Sequence, residues 1–272
     1  MTIEAPLVPP HALRASSFKR LGLLFADTAV IMWRNLLGYV RIPEAAFFSS
    51  VQPVMFVLLF RYVFGGAIHV PGVSYVNYLI PGIFVQTVAF GAVGTSIGLA
   101  QDLHTGLIER FRALPMSRSA VLAGRTLADL VRNIVVVGII TGVGFAVGFR
   151  LHTNALAFIA ALGILILFAY ALSWGFAFIG LSAPNAETAQ VMSFPVLFPM
   201  TFASTAFVPA NSMPSWLQGF ANNQPVSIVV NCTRALMNGG PTATYVEKAV
   251  IWSVGLFLVL GPLAVRKYRR MN

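Results

Sequence analysis

The chain has 272 residues, of which 57% are hydrophobic and only 10% charged, with a mean hydropathy of +0.80. Soluble domains carry about 25% charged residues, so this composition excludes a water-soluble fold and points to an integral membrane protein. The formal net charge of +10 does not indicate nucleic acid, because the basic residues punctuate the ends of apolar runs instead of gathering on one polar domain.

Residues 1–17 hold prolines and polar residues but no apolar core followed by a small-residue cleavage site, so they read as a loose cytoplasmic tail. An interfacial helix is expected over 18–41. There Arg20, Asp27, Arg34 and Arg41 recur every seven residues, close to two helical turns, and form one charged stripe on an otherwise apolar surface. As a span this segment would carry Asp27 and Arg34 through lipid at about 2.5 to 3.5 kcal/mol each, whereas a helix lying at the boundary costs less and suits Trp33 and Tyr39. An ordinary amphipathic lead-in without function fits the same pattern.

Six apolar stretches approach the roughly 20 residues a membrane helix needs, at about 44–63, 78–100, 127–149, 155–181, 190–208 and 246–266. Glu44 opens the first beside Arg41 and Pro43. Between the second and third, Gln101 to Leu114 places Leu103, Leu107, Phe111 and Leu114 on one helical face, with Asp102, Glu109 and Arg112 away from it and Arg110 at its edge. Pro115 stops this helix, and Ser117 caps the next one ahead of Arg118. At the start of the third span Asp129 can pair with Arg125 four residues before it or Arg132 three after it. These charges also fit a plain topological role. Residues 209–245 carry Pro209, Pro214, Pro225 and Pro241 and apolar runs too short to cross, which suits outer interfacial or re-entrant half-helices, with Trp216, Leu217 and Phe220 at the boundary.

Of the 18 basic residues, fourteen fall on the side of the termini and the 101–132 loop, including Arg110, Arg125, Arg132 and the tail Arg266, Lys267, Arg269 and Arg270; only Arg61, Arg150, Arg234 and Lys248 fall on the other. That bias predicts cytoplasmic termini and a multi-pass protein of one membrane domain, 18–272. Polar residues within the spans, namely Ser49, Ser50, Gln52, Gln86, Thr87, Thr95, Ser96, Thr201 and Ser204, are candidates either for a pathway or for helix packing. With no acid in mid-span, secondary active transport has little to work with. One cysteine, Cys232, excludes an internal disulfide, four scattered histidines show no metal-ligand spacing, and none of the three lysines lies in a phosphate-binding loop. If ATP drives this protein, another subunit binds it.

Together these residues resemble the type-two ABC exporter permeases of the daunorubicin-resistance branch. The resemblance rests on Arg41-Ile42-Pro43 with Gln52-Pro53 and Phe64-Gly65, and on Asp102, Gly106, Glu109-Arg110-Phe111-Arg112 and Pro115-Met116-Ser117-Arg118 with Gly124-Arg125. Further along, it rests on Phe207-Val208-Pro209 through Met213-Pro214, Trp216-Leu217, Gln224-Pro225-Val226 and Arg234-Ala235-Leu236.

It implies an all-α permease of six spans in a cell membrane, as in a bacterial plasma membrane. This permease would pair with a second copy or a sister permease and dock on a separate ATP-binding subunit that holds ATP and magnesium. It further implies that 101–115 is the coupling helix and 20–41 the connecting helix, with Glu109, Arg110 and Arg112 in the docking contacts, and that Pro209, Pro214, Trp216 and Pro225 belong to an outer gate. The expected cargo is an amphipathic drug or lipid-like molecule. A polysaccharide exporter, an intramembrane lipid-modifying enzyme and a channel or scaffold are the rival readings.

Overall fold

In the computed structural model, residues 17–41, 43–68, 70, 72–113 and 118–271 are described, and every regular element among them is helical. Helix α1 (Ser17–Arg41) leads to α2 (Pro43–Leu58), which runs on through a π-helical stretch, Leu59–Phe64. Then follow α3 (Tyr75–His104), α4 (Leu107–Ala113), α5 (Arg118–Ala146), α6 (Ala155–Gly180) and α7 (Ala186–Phe202). A short 3-10 turn, Ala210–Ser212, precedes α8 (Ser215–Asn223), α9 (Pro225–Asn238) and α10 (Thr242–Arg270).

Among the described residues, four helices are long and apolar enough to cross a membrane: Tyr75–His104, Ser119–Ala146, Ala155–Gly180 and Thr242–Arg270. Of their apolar windows, 72% of α3 is buried against 22% of α10, so α3 is the axle of the bundle and α10 faces outward. Around α3 pack α5, α6, α7 and α9, with Leu79, Ile83, Phe84, Phe168 and Val229 fully enclosed in the main core. The first expected span is one helix with a shorter apolar stretch, Ser50–Phe64.

The fifth expected span is corrected. Helix α7 has 17 residues with Pro195 and Pro199 inside and ends at Phe202, so 203–208 are not helical. Each proline removes one backbone donor and weakens the helix toward its end. Beyond it the backbone is held from outside: Thr205 N–H donates to Ser227 Oγ at 3.1 Å, and Tyr75 and Tyr78 hydroxyls donate to Phe207 and Thr205 carbonyls. Irregular backbone is stable at depth where protein supplies its partners. Gly82 makes this possible, since a Cβ there would collide with the Ala206 carbonyl.

Helix α1 occupies the expected stretch and packs against the bundle. It lies parallel along α5, with Ile31 against Gly124, Asn35 against Arg125 and Tyr39 against Asp129. Its buried face includes Thr28, Ile31 and Asn35, while Phe25, Val30, Trp33 and Val40 are exposed. The charged stripe therefore faces the protein in part, and Phe25, Val30, Trp33 and Val40 point away from it. In a membrane this arrangement is favourable, because lipid solvates Trp33 and Val40 and only protein satisfies Asn35.

A second core forms at the end of the bundle that carries Arg110 and the basic C-terminal turn. It joins Leu99, Ile108, Leu122, Trp174, Leu181 and Tyr268 from α3, α4, α5, α6, α10 and the residue after α6. This is the basic end; α8 and α9 mark the opposite end.

Candidate functional site

At the basic end the expected helix over 101–114 is broken. Helix α3 continues through His104, the chain turns at Thr105 and Gly106, and α4 begins at Leu107. The break is set by Gly106, whose φ of +68° lies in the left-handed region that glycine enters without steric cost. Asp102 and Leu103 therefore stand in the last turn of α3, not on a helix with Glu109. The break also re-aims the apolar face. Ile108 is the fully buried anchor of α4, at 1% exposure, while Leu107 and Phe111 are half-buried and Glu109 and Arg110 exposed. The side chains of Arg20, Glu44, Ser49, Arg112 and Arg118, and all of Pro115, lie outside the described residues.

Behind α4 runs a seam of charge between α1, α3 and α5. Arg34 Nη2 lies 2.8 Å from Asp102 Oδ1, and its guanidinium sits over the Phe111 ring of α4 at 5.3 Å. Arg125 stands between two carboxylates, 3.9 Å from Asp102 and 3.6 Å from Asp129, and also donates to Asn35 Oδ1 and the Gly94 carbonyl. Asp129 is fully buried and accepts from the hydroxyls of Tyr39 at 2.6 Å and Thr95 at 2.5 Å. Burial, and then the Asp129 charge, push the Tyr39 hydroxyl up to about 12, so it remains a donor across the physiological range. Helix α5 starts at Arg118, as expected from a cap at Ser117, and carries Arg125, Asp129 and Arg132. Asp129 pairs with Arg125, and Arg132 goes elsewhere. Of the rest of the α1 stripe, Asp27 is half-buried and engaged, and Arg41 is exposed.

Glycines on α3 make room for this seam. A Cβ at Gly98 would overlap the Arg125 guanidinium, one at Gly94 the Arg132 guanidinium, and one at Gly91 the Asn133 amide. Side chains of α5 thus enter a groove cut along α3 by Gly91, Gly94 and Gly98. Small residues at such spacing allow close approach of membrane helices. Arg132 donates to the Gly91 carbonyl at 2.5 Å and to Asn133 Oδ1 at 3.4 Å, with its guanidinium 5.5 Å from the Tyr39 ring.

Among the candidate pathway residues, Gln52, Gln86 and Thr87 come together. They line a cavity of about 120 Å³ between α2, α3 and α5, with Phe56, Arg132 and Asn133. Thr201 and Ser204 do not join it; their hydroxyls donate to the Leu197 and Thr201 carbonyls. Ser96 is buried and donates to the Ala189 carbonyl at 3.5 Å.

At the opposite end Pro214 precedes α8, Pro225 opens α9, and Pro209 precedes the 3-10 turn. Trp216 is 78% exposed on α8, whereas α9 is packed inside the bundle with Val229, Val230, Cys232 and Met237 fully buried. Arg234 of α9 donates to the carbonyls of Tyr78 and Thr205 at 3.1 and 3.0 Å and to Asn231 Oδ1 at 2.9 Å, with its guanidinium 3.6 Å from the Tyr78 ring centre. Asn238 and Arg150 close the same region through Asn77.

Residue patterns alone do not single out Asn35, Ile108, Asn133 or the buried setting of Arg234. One signal was available: glycines at 91, 94 and 98 face arginines at 125 and 132 on the next long helix.

The family model described as ABC-2 type transporter matches residues 27–238, from within α1 to the last residue of α9. The chain is 34% identical to the daunorubicin resistance ABC transporter permease protein DrrB1 of Streptomyces coeruleorubidus, over 90% of this chain and 87% of that protein. It is 27% identical to the protein named probable doxorubicin resistance ABC transporter permease protein DrrC of Mycobacterium tuberculosis, over 99% and 97%. Against the doxorubicin resistance ABC transporter permease protein DrrB of that organism the identity is 28%, over 65% and 61%.

Proposed function

This chain belongs to the ABC-2 type transporter family and is a transmembrane permease of an ABC exporter; from that premise we propose that it moves an amphipathic drug or lipid-like substrate out of the cytoplasm or inner leaflet. The drug-resistance names of its relatives support the cargo class. The family implies a separate ATP-binding subunit, which would hold ATP and magnesium, and a permease partner, either a second copy or a sister chain. We place the basic end and both termini in the cytoplasm, in a bacterial plasma membrane, on the distribution of basic residues. Six spans then correspond to α2, α3, α5, α6, α7 and α10, with α8 and α9 on the outer side as gate elements bounded by Pro209, Pro214 and Pro225, and Trp216 at the boundary.

The observation that carries the coupling role is the two-sided build of α4. One side inserts Ile108 into the core of the basic end, and the other offers Glu109 and Arg110 to a partner. Arg34 ties α1 to the same elbow through Asp102 and Phe111. A push on α4 is therefore passed to α1, α3 and α5 as a body, the kind of rigid shift that switches access between two permease halves. Leu103 and Leu107 seat the elbow, and Arg112, Pro115 and Arg118 continue it by position.

Replacing Glu109 and Arg110 together with alanine is expected to lower co-purification of the ATP-binding subunit in mild detergent while leaving membrane insertion unchanged. Undiminished recovery of that subunit with the double variant would remove α4 from the docking surface.

A further inference from the structure

The cavity beside Arg132 has a polarity that the coupling seam does not require. Asp129 already pairs with Arg125 and accepts from Tyr39 and Thr95. Among the described residues no carboxylate pairs with Arg132, which engages one backbone carbonyl and one amide oxygen through the same nitrogen, Nη2. A guanidinium carries five N–H donors. Two further donors stand next to it with nothing to donate to: Gln86 Nε2 and Asn133 Nδ2 are buried without a hydrogen-bond partner, and both residues are only 3% exposed. The Asn133 amide is oriented by Arg132, whose donation fixes Oδ1 as the acceptor and leaves Nδ2 toward the unmet need. Two buried amide donors and the half-buried Arg132 guanidinium converge on about 120 Å³ of space.

A second space adjoins the first. Between α2 and α5 lies an apolar groove of about 490 Å³, lined by Phe47, Val51, Met55, Val135 and Ile139, and Arg132 is shared with the polar cavity. Depth agrees with this division. Helix α6 ends at Gly180, against Ser96 of α3, and Gly91 stands five residues farther into the bundle, about 7.5 Å at 1.5 Å per residue. Arg132 thus stands about 7.5 Å in from the basic end of α6, within reach of a headgroup drawn into the bundle from that side.

We propose that Arg132, Gln86 and Asn133 bind the anionic headgroup of an acidic amphiphile, a phosphate or carboxylate lipid of the inner leaflet, whose apolar chain occupies the α2–α5 groove. The inference rests on the exporter reading and narrows its cargo class. Two buried amide donors without acceptors are costly, and an arriving anion supplies those acceptors and a counter-charge to the half-buried guanidinium. A cationic amphiphile meets like charge at the same place.

Native mass spectrometry of the full chain in detergent tests this with dioctanoyl phosphatidic acid as probe. Arg132→Gln is expected to weaken binding about tenfold or more, the scale of a lost charge-assisted contact. Dioctanoyl phosphatidylcholine should bind the wild type more weakly and be little affected by the substitution. Glycerol 3-phosphate, a headgroup without chains, should bind far more weakly than the lipid; equal binding overturns the groove and leaves a free-anion site. Val135→Trp fills the groove without touching the donors and is expected to abolish lipid binding, so the test survives if Arg132→Gln fails to fold. Equal binding of both lipids by the wild type, or undiminished binding by both variants, overturns the proposal. ATP-driven movement of the same lipid by the assembled complex reads the exporter premise separately. Arg132-dependent binding without transport refutes the cargo reading and keeps the site, and transport unaffected by Arg132→Gln refutes the site and keeps the exporter.

Discussion

At the basic end of the bundle Arg125 lies between Asp102 and Asp129, whereas at the opposite end Arg234 meets carbonyls, an amide oxygen and the face of Tyr78. Both arginines are largely enclosed and both are engaged, but by different physics. Charge attraction falls off slowly with distance and depends little on angle, so Arg34 and Arg125 can trade contact with Asp102 as helices shift by an ångström or two. A carbonyl cradle holds only near its own geometry, because hydrogen bonds weaken steeply as they bend. The expectation is that the ion-paired end moves with α4 as one unit and tolerates small adjustments within it, while the carbonyl-clamped end holds α9 against α3.

The sharpest way to break that contrast is Asp129→Ala. It leaves Arg125 buried beside a single distant carboxylate and removes the acceptor of Tyr39 and Thr95, which is expected to cost about 3 to 5 kcal/mol in thermal unfolding of the detergent-solubilised protein. Asp129→Asn, which keeps an acceptor, should lose visibly less; equal losses would show that the charge is immaterial. Next comes Arg234→Met. It takes one donor from each of the Tyr78 and Thr205 carbonyls and from Asn231, but Thr205 keeps the Tyr78 hydroxyl, Asn231 keeps the Thr205 hydroxyl and a largely enclosed charge is removed, so the expected loss is smaller, about 2 kcal/mol by the same measurement. A loss exceeding that of Asp129→Ala would reverse the ordering and make the opposite end the more charge-dependent. The smallest effect is expected at Trp216, which is 78% exposed. Trp216→Ala should change stability by less than about 0.5 kcal/mol, and a larger drop would mean that α8 is clamped rather than merely laid on the surface.

Apolar length is a local property, and it led directly to the helices later found at Ala155–Gly180 and Thr242–Arg270, within a few residues of the stretches 155–181 and 246–266. The pairing of Asp129 with Arg125 was legible for the same reason, since four residues along a helix bring two side chains to one face. Gly106 does not stand out as a breaker in the sequence, because the 3.6-residue pattern of Leu103, Leu107 and Phe111 runs through it. One positive φ then outweighed the pattern, and Ile108 became the buried anchor. The end of α7 differs for a related reason: 190–208 has the length and apolarity of one span, yet the backbone partners of 203–208 come from Ser227, Tyr75 and Tyr78 in distant parts of the chain.

By itself, the sequence determined that this chain is a helical membrane protein, because hydrophobic length, charge distribution and the resemblance of its motifs are readable residue by residue. Which polar groups share a site was decided only by the tertiary structure. Arg132 sits beside Gln86 because glycines on α3 let α5 approach to within a side chain's reach, and Tyr39 faces Asp129 because α1 runs parallel to α5. Those contacts depend on helix register and separation, which burial and hydrogen-bond satisfaction fix across the whole bundle and no local spacing encodes.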